Sequence, residues 1–290
     1  MRMLKHNAWY IILNKMKKVV LITGATGAIG RATAMELAKN NCQLILLGRN
    51  SEKLTAVKSE IIKATGNSDI DIYIAELSEP KSIHQAVLEI KKRYNSLNGL
   101  INVAAIFKNN RLENSSGLEY MFATNHLGPF VLTVECLDLL KAGKPSRVLT
   151  VSAPSTTKIN FDDINGKKKF SAGFMGAFGA SKMMNLMFTY ALARRLEGTG
   201  VTAGVFHPGL VKSNLTNEMP AFLNYIFKQI SNKPDKAAKT LCSLAIDKNY
   251  ENSNGTFLTL GGKEIKSNEY SKNKDLQEKL WTISEQLMKY

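Results

Sequence analysis

Val19-Val20-Leu21-Ile22-Thr23-Gly24-Ala25-Thr26-Gly27-Ala28-Ile29-Gly30 reads as a strand that runs through a glycine-rich turn into a helix. Residues 19–23 are apolar or β-branched without alternation, the pattern of a parallel strand buried on both faces. Glycines let the backbone turn tightly and approach a ligand closely. The N–H groups and the positive dipole end of the helix that follows favour an anion there. A glycine motif alone is weak evidence. In a strand–turn–helix setting it points to a dinucleotide pyrophosphate.

The same alternation continues outward along the chain. A helix is expected from about Ala28 to Lys39, a strand at Gln43–Leu47, a helix over 51–64 and a strand at Ile70–Ala75. Glu79 to Tyr94 reads as a helix, with Ser78 as N-cap and Pro80 in its first turn. A strand at Leu100–Ala104 leads to a long helix over 118–140, bent near Gly128-Pro129. Then come a strand at Arg147–Ser152, a helix over 174–197, a strand at Val201–Phe206, a helix over 235–246, a strand at Gly255–Leu260 and an amphipathic helix over 274–288. This order predicts an α/β fold, a single-domain Rossmann-type doubly wound sheet of about seven parallel strands with helices on both faces. Ligands in such sheets bind at the carboxyl ends of the strands, where strand order reverses.

The bulk composition agrees with one intracellular domain. At 290 residues and 44% hydrophobic, the chain can bury a large core, and no linker interrupts residues 16–290. Cys42, Cys136 and Cys242 lie far apart without a metal-ligand spacing. They suit a reducing compartment as small buried groups, so a cytoplasmic protein without a metal is expected. The net charge of +15 favours anionic partners. No basic run is interleaved with aromatics, so nucleic acid is not expected, and Lys167-Lys168-Lys169 reads as a solvated loop tip. Residues 1–15 read as a loose extension or a start set too early. The apolar run Trp9–Leu13 is too short for a membrane-spanning helix or a signal peptide. A weak interfacial anchor is the other reading of that run.

After the second strand stands Arg49. An acidic residue there would hold the ribose hydroxyls of NAD, whereas arginine can pair with a 2′-phosphate through charge-assisted hydrogen bonds. NADP is therefore expected over NAD. The cradle residues are Gly24, Thr26, Gly27, Ala28, Ile29, Gly30 and Arg49.

Together these segments resemble the short-chain dehydrogenase/reductase family over about residues 17–288. Thr23-Gly24-x-x-x-Ala28-Ile29-Gly30 is similar to its glycine motif. Asn102-Val103-Ala104-Ala105 is similar to its Asn-Asn-Ala-Gly segment, with two departures. Asn125 matches its helix asparagine, and Pro208-Gly209-Leu210-Val211-Lys212-Ser213 its segment at the nicotinamide end. The resemblance thus adds Asn102, Ala104, Lys182, Pro208, Gly209, Val211 and Ser213 to the cofactor site. The insertion Ile159–Asn165, Ala193-Arg194-Arg195-Leu196 and Leu280-Trp281 resemble the retinol-dehydrogenase-like branch. Pairing through the two long helices, as a homodimer or homotetramer, is a further implication of the family.

The resemblance also exposes a departure. Phe178-Gly179-Ala180-Ser181-Lys182 stands where the family carries Tyr-x-x-x-Lys, and Ala153 stands where it carries serine. In the family that tyrosine exchanges a proton with the substrate oxygen and the serine polarises the carbonyl. The lysine lowers the tyrosine pKa and binds the nicotinamide ribose, and the asparagine supports a water chain. The catalytic positions here are therefore Lys182, Asn125, Ala153 and Phe178, with two hydroxyls lost. Losing an acid/base group commonly costs about 10²–10⁴-fold in rate. Ser155, Thr156 and Thr157 in the following loop are candidate substitutes; Ser152 is one step off on the strand and faces the other way. Tyr270-x-x-x-Lys274 repeats the spacing in the wrong context, and His207 reads as structural. Met219–Phe227 reads as a lid over an apolar substrate within about 214–233, or as a packed surface helix.

Two functions remain open at this level. One is an NADP(H)-dependent oxidoreductase on an apolar carbonyl, alcohol or conjugated substrate with altered proton chemistry. The other is a catalytically silent NADP(H)-binding sensor or partner. The same two exchanges would also be chosen to silence an active reductase. Arg49→Asp is expected to weaken NADPH binding far more than NADH binding in a fluorescence titration; equal losses would remove the 2′-phosphate assignment.

Overall fold

The computed structural model describes residues 17–173, 175–212 and 232–289. The extension over 1–15, Ser213 and nearly all of the expected lid lie outside the described residues. Seven parallel strands form one sheet: β1 (Val19–Thr23), β2 (Gln43–Gly48), β3 (Ile70–Ile74), β4 (Gly99–Asn102), β5 (Ser146–Val151), β6 (Val201–Phe206) and β7 (Thr256–Leu258). Their order is β3-β2-β1-β4-β5-β6-β7, so the sheet is the doubly wound one expected, and strand order reverses between β1 and β4. Register there sets Leu21 beside Leu100 and Ile22 beside Ile101.

Alternate residues of each strand feed two cores, as the period of 2 requires. On one face Val20, Ile22, Leu44, Leu46 and Ile101 pack under α1 (Ala28–Lys39), α2 (Ser51–Thr65) and α8 (Asp235–Ile246). On the other, Leu21, Ile45, Leu100 and Val148 pack under α3 (Pro80–Arg93), α5 (Gly128–Glu135) and α7 (Ala177–Arg195). After the short α9 (Glu269–Lys272), α10 (Lys274–Leu287) lies outside α5 and α7 and adds Trp281 to that second core. Among the described residues no helix is long and apolar enough to cross a membrane. All three cysteines are free and buried, as small apolar groups would be.

Two local expectations are corrected. The N-cap of α3 is Glu79, and Ser78 makes no cap bond to that helix; Pro80, with no N–H to satisfy, occupies its first turn. The long helix over 118–140 is instead α4 (Tyr120–Phe122), a π turn over Ala123–Leu127, α5 and α6 (Leu137–Ala142). The cause is Pro129. Without an N–H it cannot donate to the carbonyl four residues back, that of Asn125, and the helix widens locally. The released Asn125 carbonyl accepts a hydrogen bond from Asn185 Nδ2 of α7 at 2.9 Å.

At Gly30 a Cβ would lie 2.2 Å from the Gly24 carbonyl oxygen, so the turn and the start of α1 close on each other only without a side chain. Gly30→Ala is expected to destabilise the fold by about 1–3 kcal/mol through overpacking. A lower urea midpoint at unchanged slope would report it; an unchanged midpoint would mean that the turn opens freely.

Candidate active site

The carboxyl ends of β1, β2, β4, β5 and β6 share one edge of the sheet and bring the expected site residues together. At the end of β1, Gly24 has φ +71°, and a Cβ there would meet the Ala104 backbone at 2.8–2.9 Å. That cradle closes on Thr23, whose Oγ1 accepts from the Val103 and Ala104 amides at 3.1 and 3.2 Å. The α1 N-terminus has Gly27 as N-cap with no side-chain cap bond, and its first turn holds no acidic residue. Its N–H groups are left for an anion, as a pyrophosphate requires.

Asn102 Nδ2 donates to Thr133 Oγ1 of α5 at 3.2 Å, and its Oδ1 is buried with no partner among the described residues. Arg49 Nη1 donates to Tyr120 Oη at 3.0 Å and pairs with Glu76 Oε2 at 3.4 Å, with the arginine side chain mostly exposed. Such an exposed pair is worth at most about 1 kcal/mol, so a phosphate could displace it. Pro208, Gly209 and Val211 follow β6, where Gly209 turns at φ +71° and Val211 bridges to Asn232. These residues suit a dinucleotide: a cradle that a Cβ would fill, an open helix start and a basic group after β2.

Of the four positions expected to be catalytic, Phe178 and Lys182 lie on α7 and Asn125 in the π turn. Asn125 Oδ1 accepts from the Ile106 amide at 2.8 Å, and its Nδ2 donates to the Ile106 carbonyl at 2.9 Å. The same Nδ2 lies 3.3 Å from Ser181 Oγ, which donates to the Phe178 carbonyl at 2.7 Å. Phe178 is buried with its ring edge-on to Phe107 at 5.5 Å, and Phe170 and Ala172 pack on the same cluster. Lys182 Nζ lies 5.2 Å from the centre of the Phe178 ring. Burial pulls its pKa down from 10.5 to about 8, and no carboxylate among the described residues offsets that. The ammonium is therefore desolvated, with the face of an aromatic ring beside it.

The hydroxyls of Ser152 and Ser155 are otherwise engaged. Ser152 Oγ donates to the Lys182 carbonyl at 3.0 Å, and Ser155 Oγ donates to the Gly179 carbonyl at 2.8 Å. These two bonds set Ala153 beside the first turns of α7. Thr156 is exposed, its Oγ1 4.0 Å from Met175 Sδ. His207 bonds through its backbone, its amide to the Leu258 carbonyl at 2.7 Å, and burial lowers its ring pKa. The Tyr270 hydroxyl lies against the Ile159 backbone and belongs to the core under α10. Thr23, Tyr120 and Ser181 were missed as site residues. Thr23 and Ser181 sat inside the quoted motifs, but only the register shows which backbone groups their hydroxyls meet.

A doubly wound parallel sheet with this cradle and an Asn–Lys pair defines a nucleotide-binding oxidoreductase class. The family model described as short chain dehydrogenase matches residues 18–224. Mouse retinol dehydrogenase 12 is 35% identical over 275 residues, covering 93% of this chain and 86% of that protein. Human retinol dehydrogenase 14 is 33% identical over 289 residues, covering 92% and 85%. A crystal structure of an uncharacterized protein from Mycobacterium paratuberculosis superposes with a TM-score of 0.75 at 26% identity, covering 95% and 96%. The chain belongs to the short-chain dehydrogenase/reductase family, in its retinol-dehydrogenase-like branch.

The lysine pKa carries a sign that can be checked. Below about pH 8 the amine is charged in both folded and unfolded chains, and its burial opposes folding. Between about pH 8 and 10.5 the folded chain gives up the proton while the unfolded chain keeps it, so this group's penalty fades as pH rises. Lys182→Met is accordingly expected to be more stable than the native chain near pH 7, with the difference closing towards pH 10.5. Urea midpoints measured across that range would test it; a difference independent of pH would refute the desolvated amine.

Proposed function

We propose that this protein is an NADP(H)-dependent oxidoreductase for a small apolar carbonyl, alcohol or conjugated substrate, with impaired proton delivery. The observation that carries this reading is the intact cofactor cradle beside an Asn125–Ser181–Lys182 arrangement that lacks both hydroxyls. Arg49 after β2 supports a 2′-phosphate, and Gly24, the α1 N-terminus and Lys182 support the rest of the dinucleotide. When bound, the nicotinamide supplies the hydride. The relatives named retinol dehydrogenases support an apolar substrate, as does the cluster of Phe107, Met121 and Phe178 beside the site. The three buried thiols support a cytoplasmic setting.

A carbonyl that accepts hydride builds negative charge on oxygen and needs a donor in reach. Phe178 and Ala153 provide none. Ser152 and Ser155 spend their protons on α7 carbonyls. What remains is the desolvated Lys182 ammonium, whose first task is to hold ribose hydroxyls, with the exposed Thr156 hydroxyl and water as the other proton sources. Asn125 keeps the Ile106 backbone and the first turns of α7 in register, which orients that lysine. The silent cofactor-binding reading is favoured by the same observation, since every nearby serine is already engaged.

Turnover separates the two. NADPH consumption with a panel of apolar aldehydes and ketones is expected to be slow in the native chain. It should rise about 10²–10⁴-fold in the Ala153→Ser, Phe178→Tyr double variant. Comparable rates in both would sink the claim of impaired proton delivery. No rate in the native chain with normal NADPH binding would leave the silent reading standing.

A further inference from the structure

The α5–α7 face is covered by an element of the same chain. Trp281 of α10 sits edge-on to Phe130 of α5 at 4.9 Å between ring centres and lies 6.0 Å from Phe188 of α7. Phe130 and Phe188 are themselves 5.4 Å apart, and both are buried. Arg195 lays its guanidinium over the indole, 3.9 Å from the ring centre. Arg194 and Arg195 both pair with Glu278, so the rim of the contact is closed by charge. Leu280 enters the cluster of Met183, Met184 and Met187. Aromatic and apolar groups ringed by arginine–carboxylate pairs are what an interface between two subunits would show. Here both sides come from one chain.

The same helix reaches the candidate site. His126, next to Asn125 in the π turn, is fully buried, and its Nε2 lies 2.9 Å from Ser284 Oγ of α10. Burial holds this imidazole neutral, its pKa lowered to about 3. Phe122, Phe130 and Phe188 surround the ring. The π turn has lost a helix bond at Pro129, so it depends on outside partners. Asn185 of α7 bonds the freed Asn125 carbonyl, and Ser284 of α10 holds the His126 side chain.

We infer that α10 occupies, from within the chain, the helix face expected to pair subunits, so that the protein is a monomer whose Asn125 turn is braced by its own last helix. Sedimentation of the native chain from about 1 to about 100 µM tests the first part, because self-association would show as concentration dependence. A single species of 32.1 kDa is expected, with or without NADPH. A dimer at any of these concentrations would overturn the monomer. Amide exchange of Ser284→Ala tests the second part and needs no activity. Loss of one buried bond should speed exchange over 123–127 about tenfold and leave α1 and α8 unchanged. Unchanged exchange over 123–127, or equal acceleration everywhere, would overturn the bracing. Trp281→Leu gives a second reading of the same segment should the first variant fold poorly.

Discussion

Pro129 has no amide hydrogen, and the arrangement of the site depends on that absence. A regular helix would have spent the Asn125 carbonyl on residue 129. The carbonyl is instead free for Asn185 of α7, which ties the two long helical segments at one point. One turn before Asn185 on α7 lies Ser181, which meets the Asn125 side chain, with Lys182 beside it. The local widening turns the Asn125 amide onto the Ile106 backbone, beyond the end of β4. A missing hydrogen bond in one helix thus sets the register between the loop after β4, the π turn and the lysine. The cost of an incomplete helix is met by bonds that cross between elements.

Two basic groups face the crevice in opposite electrostatic states. Arg49 is exposed and already has Tyr120 and Glu76 as partners, so solvent screens it. Lys182 is buried against an aromatic ring, and its charge is costly at neutral pH. The Phe178 ring beside that lysine carries no ionisable hydroxyl on which its field could act. Phe178 is held in its place by the buried cluster it forms with Phe107 and Met121.

Much of this was readable from the chain. Parallel strands buried on both faces are written as unbroken apolar runs, so Val19–Thr23 and Val201–Phe206 matched their strands. The glycine turn was legible because its demand for space is local. Ser78 was mistaken for a cap because serine and proline together imitate a helix start, while the backbone begins the helix one residue later. The continuous helix over 118–140 misread Pro129 as a simple bend. Its effect fell four residues upstream, and only the partner on α7 makes that arrangement stable.

The sequence by itself determined the alternation of strands and helices, the glycine-rich turn and the absence of a side-chain hydroxyl at Phe178 and Ala153. These follow from periodicity, from glycine's lack of a side chain and from the apolar chemistry of two side chains, all properties of single residues or a few consecutive ones. Tertiary structure alone decided that Ser152 and Ser155 spend their hydroxyls on α7, and that Lys182 is desolvated. It also decided that α10 closes the α5–α7 face. Each of these depends on groups tens of residues or more apart, brought within a few ångströms by the sheet, and hydrogen-bond partners and burial exist only once that packing is complete.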